Sequence, residues 1–139
     1  MKKSLLIFSI LFLVCIPAAF AQCPFGGTNS GTIVTPTNTD QFTGSFQGGR
    51  YFTMNVVSGG LYTVSTIGLA GWDTQLTIHD TSGNFIGYND DFEGTMQSEI
   101  SFMSPITGQV RVLLNRYNCQ STNGGTRTQI RFRGSSNYL

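Results

Sequence analysis

Lysine is nearly absent: the 139 residues contain only Lys2 and Lys3. Charged residues of every kind make up 11%, with one histidine (His79), one tryptophan (Trp72) and four prolines. So little charge excludes a charged disordered chain, a coiled coil and a helix bundle built on Lys, Glu and Leu. It also excludes nucleic acid as a partner, because no basic excess exists to neutralise phosphates. One histidine and three cysteines leave few of the groups that nucleophilic catalysis and transition-metal sites draw on. What is abundant is glycine, at 17 residues, and apolar residues, at 40%.

Residues 1–21, MKKSLLIFSILFLVCIPAAFA, read as an export signal. Lys2 and Lys3 form the positive region. The apolar stretch Leu5–Ile16 is shorter than the roughly 20 residues of a spanning helix. Ala19 and Ala21 supply the small residues of a cleavage site, so the mature chain is expected to begin at Gln22, with no membrane span, in the periplasm or outside the cell. Neither Cys15 nor Cys23 follows the small residue that a lipid anchor requires. Cleavage removes both lysines and leaves six arginines against seven acids, a net charge of −1 over 118 residues. That length suits one domain. Cys23 and Cys119 remain, and an even pair in an oxidising compartment predicts one disulfide.

Period-two alternation dominates from Gln41 to Arg133. Phe52, Met54 and Val56 share one face; so do Tyr62, Val64 and Thr66, then Leu76 and Ile78, Ile100 and Phe102, Val110, Val112 and Leu114, and Ile130 and Phe132. Gly-bearing turns separate these runs at Ser58-Gly59-Gly60, Asp80–Gly83 and Pro105–Gly108. About eight short strands without a helical stripe predict an all-β antiparallel sandwich. Residues 22–40 read as an irregular lead-in with a short strand at Thr32–Val34, and residues 134–139 as a tail. Arg111, Arg131 and Arg133 are expected on a solvent-facing sheet surface.

Six of the seven acids fall between positions 73 and 99. Asp73 enters one strand, and Asn89, Asp90, Asp91 and Glu93 follow the next. A hairpin places the start of one strand beside the end of its neighbour, so these groups are predicted to meet at one rim. Two readings are open: a Ca²⁺ cage of carboxylates and carbonyl oxygens, or an Asn/Asp turn that satisfies its own backbone. Trp72, Tyr88 and Phe92 border the loop and either contact a ligand or close the end of the core. His79 and Asp80 are adjacent on a strand and point to opposite faces, which offers no triad.

The order Gly60-Leu-Tyr-Thr-Val, Trp72-Asp73-Thr-Gln-Leu-Thr-Ile, Asp80–Gly83, Asn89-Asp90-Asp91, Ser98-Glu-Ile-Ser-Phe and Thr107-Gly108-Gln-Val-Arg-Val resembles the bacterial pre-peptidase C-terminal domain over about residues 59–117. The resemblance implies a small jelly-roll-like sandwich that serves as an accessory module of exported proteins. Some members bind collagen or polysaccharide, and some bind a stabilising Ca²⁺. One departure is that residues 22–39 lack the acidic linker that supplies Ca²⁺ ligands in collagenase-type members, so a site must rely on Asp73, Asp90, Asp91 and Glu93. No catalytic domain accompanies the module in these 139 residues. The expected function is a secreted, non-catalytic module that binds Ca²⁺ and a polysaccharide or extracellular protein. The alternative is a structural or adhesive component without a small ligand, and a small hydrolase is the weakest reading.

Overall fold

The computed structural model describes residues 22–136; the expected signal segment and the last three residues lie outside the described residues. Six longer strands appear where alternation predicts them: β4 (Arg50–Val56), β5 (Gly60–Ser65), β6 (Thr74–Asp80), β8 (Glu99–Met103), β9 (Gly108–Arg116) and β11 (Gln129–Ser135); β7 (Phe85–Asn89) completes a hairpin with β6, and β1 (Thr28–Val34) starts four residues before the short strand expected at Thr32–Val34. Three two-residue strands join them: β2 (Gln41–Phe42), β3 (Phe46–Gln47) and β10 (Gly125–Thr126). No helix among the described residues is long and apolar enough to cross a membrane.

The strands form a five-stranded sheet, β1-β4-β9-β6-β7, and a four-stranded sheet, β2-β11-β5-β8, with β10 and β3 as a separate pair. Their apolar faces share one core. Phe52, Met54, Val56, Leu76, Ile78, Val110, Val112 and Leu114 come from the first sheet; Tyr62, Val64, Ile100, Phe102 and Ile130 come from the second. Each such side chain contributes about 1.5–3 kcal/mol on burial, which makes this layer the main source of stability.

Three features depart from the expected pattern. β1 pairs with β4 in parallel, Thr28 opposite Arg50 and Val34 opposite Met54, so the first sheet is mixed. Its Asn-, Gly- and Thr-rich stretch carries little alternation, and its place comes from backbone pairing at an edge, interrupted at Gly31 (φ 78°). β11 runs on through Gly134 and Ser135, past the expected end at Arg133, with a register shift before Gly134. Arg111 does not share a face with Arg131 and Arg133. It lies on the outer surface of the five-stranded sheet, across from Thr53 and His79, whereas β11 belongs to the other sheet. There Arg131 pairs with Asp40 at 3.4 Å and Arg133 donates to Thr63 Oγ1 at 3.2 Å.

The start of the lead-in lies across the outer face of the five-stranded sheet. A Cys23–Cys119 disulfide ties it down, bridging 96 positions. Cys23 N donates to Thr77 Oγ1 at 3.3 Å, and the Phe25 ring meets His79 edge-on with centroids 5.5 Å apart. Under this cover Gln75, Thr77, His79, Leu113 and Asn115 are buried although their strand parity points them outward.

Candidate metal centre

The candidate site is built by the β6–β7 hairpin. Leu76 pairs with Asn89, which sets the first residue before β6 beside the first residues after β7. Oxygens of Asp73, Asp90 and Asp91 therefore converge, each within 4.8 Å of the others. Asp73 and Asp90 are half-buried and Asp91 is exposed. Asp73 Oδ1 and Asp90 Oδ1 are both shut away from solvent and accept no hydrogen bond from the described residues. Burial, then the charges of Asp90 and Asp91, push the Asp73 carboxyl above its ordinary range, opposed by Arg116. Carboxylates held this close repel one another unless a proton or cation sits among them.

The other expected residues divide. Asn89 Oδ1 accepts from Glu99 N at 3.1 Å, a structural bond between the β7 end and β8. Glu93 is exposed on the same loop with a left-handed φ of 49°, and its carboxylate is outside the converging group. The three aromatics do not form an open platform. Trp72 packs against the core and Phe92 is half-buried. Tyr88 accepts from Gln75 Nε2 at 3.0 Å; burial, then the neighbouring Asp90 charge, raise its phenol and keep it protonated.

Three buried hydroxyls fix the loop, and nothing in the acidic motif announces them. Thr66 Oγ1 and Thr74 Oγ1 lie 2.7 Å apart, and Ser98 N donates to both at 3.0 Å. Ser98 Oγ then donates to Asp90 O at 2.7 Å, and Phe92 N to Gln97 O at 2.8 Å. The signal that could have found them is parity. Thr66, Thr74 and Ser98 each fall in phase with the apolar side of their strand, next to Val64, Leu76 and Ile100. A polar group there must find a partner.

A second chain of bonds reaches the site from the disulfide. Cys119 N donates to Gln75 Oε1 at 2.8 Å, and Gln75 in turn donates to Tyr88. His79, the lone histidine, is buried between the rings of Phe25 and Phe85 and holds no nucleophile.

No curated protein sequence matches the chain. Among solved structures it is similar to the pre-peptidase C-terminal domain of collagenase from Bacillus anthracis, at 17% identity over 77% of this chain and 96% of that one, TM-score 0.46. It is similar also to the periplasmic inhibitor of g-type lysozyme, PliG, from Aeromonas hydrophila, at 15% identity over 76% of this chain and 100% of that one, TM-score 0.48. A mutant of the Escherichia coli PliG inhibitor gives 12% identity over 78% and 100%, TM-score 0.48. Residues 41–135 match a domain of unknown function, DUF8695, and the chain belongs to that family.

Proposed function

We propose that the protein is a non-catalytic β-sandwich module of the exported compartment whose sheet end holds Ca²⁺ on Asp73, Asp90 and Asp91. The observation that carries this reading is the pair of buried, unbonded oxygens, Asp73 Oδ1 and Asp90 Oδ1, inside a group of three converging carboxylates. A turn that served only its own backbone would use those oxygens as acceptors, as Asp80 does toward Ser82 N and Asn84 N at 2.8 Å each. Hard oxygen donors suit Ca²⁺, and backbone carbonyls and water complete the six to eight ligands it takes. The disulfide is in keeping with an oxidising compartment. A non-catalytic role accords with a histidine enclosed by the rings of Phe25 and Phe85.

The test is a thermal melt in EGTA and in a millimolar Ca²⁺ series. At 100 times the dissociation constant, bound ion adds about 2.7 kcal/mol of stability. Asp73→Asn is expected to abolish that response without lowering the melting temperature in EGTA, since it removes one of the repelling charges. A melt indifferent to Ca²⁺ overturns the reading.

A further inference from the structure

The outer face of the five-stranded sheet carries a second constellation, away from the acidic rim and unrelated to it. Arg111 stands at its centre. Its guanidinium lies 4.6 Å from the centroid of the Phe25 ring and 4.7 Å from that of Tyr51, within cation–π range of both. Across the strand from Arg111 is His79, itself in edge contact with Phe25 and Phe85 at 5.5 and 6.1 Å. Phe25 and Phe85 remain 42% and 49% exposed, large values for phenylalanines on a folded surface.

Arg111 makes no ion pair and no hydrogen bond with any described residue. Arg131 and Arg133, by contrast, are both engaged through polar bonds. The two rings restrict the guanidinium, and the N–H donors of its planar fork have no hydrogen-bond partner among the described residues. That fork matches a carboxylate in two parallel hydrogen bonds, and rigidity reduces the entropy lost when it is filled. Arginine and tyrosine are enriched in protein-recognition hot spots, and phenylalanine at protein interfaces generally.

We propose that the Tyr51–Arg111–Phe25–Phe85 surface docks an acidic peptide segment of another protein, with a Glu or Asp carboxylate on Arg111 and an apolar neighbour against Phe25 and Phe85. Charge complementarity argues for the acid. The character of the patch argues for a peptide over an acidic sugar. A sugar ring presents hydroxyls along its edges and needs several polar partners. Here Gln109 and Asn55, the nearby amides on β9 and β4, are already bonded to each other at 3.0 Å. A carboxylate flanked by apolar side chains needs one fork and a set of rings.

The proposal stands independently of the cation site. A random dodecapeptide display library is panned on immobilised oxidised protein and on Arg111→Gln, and an enriched peptide is then titrated as a labelled synthetic probe. The expected result is enrichment of acidic sequences with adjacent apolar residues. Affinity should fall at least tenfold in Arg111→Gln, with no rescue by Arg111→Lys, and several-fold in Phe85→Ala. Arg131→Gln, on the other sheet, should bind as the unaltered protein does. Melting temperatures of all variants separate lost binding from lost folding. Failure to enrich, enrichment of non-acidic sequences, or equal binding by Arg111→Gln overturns the proposal. So does saturable, Arg111-dependent binding of tetragalacturonate when no peptide is selected.

Discussion

His79 shows how one side chain can set a pH dependence without taking part in chemistry. Burial between Phe25 and Phe85 lowers its pKa below the ordinary 6.5, with the Asp80 charge opposing. The unfolded chain therefore takes up the proton first. The stability tied to His79 is complete above pH 6.5 and is lost as the pH falls from there toward the depressed folded value. Thermal melts at about pH 7.5 and 5.5 should show this loss, and His79→Gln should flatten it while leaving the remaining titrations in place. Ser98 illustrates a different dependence. Its hydroxyl holds the Asp90 carbonyl at 2.7 Å from a fully buried position. Ser98→Ala is expected to cost about 1–3 kcal/mol in denaturant unfolding, through the acceptors it leaves unpaired.

At the scale of elements, the lead-in depends on glycine where it crosses the sheet. Gly27 has φ 85°, and a Cβ placed there would lie 2.6 Å from Leu113 Cδ1 and 3.1 Å from Gly49 O. Gly27→Ala combines a left-handed backbone with a clash, so a loss of about 1–3 kcal/mol is expected, read from the shift in denaturant midpoint. Six of the eight main strands were legible because they bury apolar residues at alternate positions, as Phe52, Met54 and Val56 do in β4. β1 was legible only as a fragment and its direction not at all, since an edge strand paired through its backbone leaves no apolar alternation in the sequence. β2, β3 and β10 are too short to show a period. The acidic rim could be read because hairpin geometry alone brings Asp73 beside Asp90 and Asp91. The engagement of Asn89 by Glu99, and the inward packing of Trp72, depend on β8 and the core, which lie outside the local motif. The contact of Arg111 with Phe25 and Tyr51 joins positions far apart in sequence, and no spacing rule links them.

For the molecule as a whole, the Cys23–Cys119 bond encloses 96 positions, nearly the entire domain. In the chain-entropy view a loop of that size adds about 4–5 kcal/mol by restricting the unfolded state. Reduction, or paired replacement of both cysteines by serine, is expected to lower the melting temperature by more than 10 °C, roughly 4–8 °C for each kcal/mol at this size. It should also speed hydrogen exchange at Thr77 and His79, which the lead-in now covers. The same closure sets an order of events during biogenesis. Cys23 must wait for a partner delivered almost a hundred positions later, and β5 waits for β11 at the far end of the chain. A polypeptide wired this way has few stable partial assemblies, and contacts so distant along the backbone form slowly. Assembly is thereby deferred until nearly all of the chain is available, and a truncation before Cys119 would leave a molecule with neither its clasp nor its last strand.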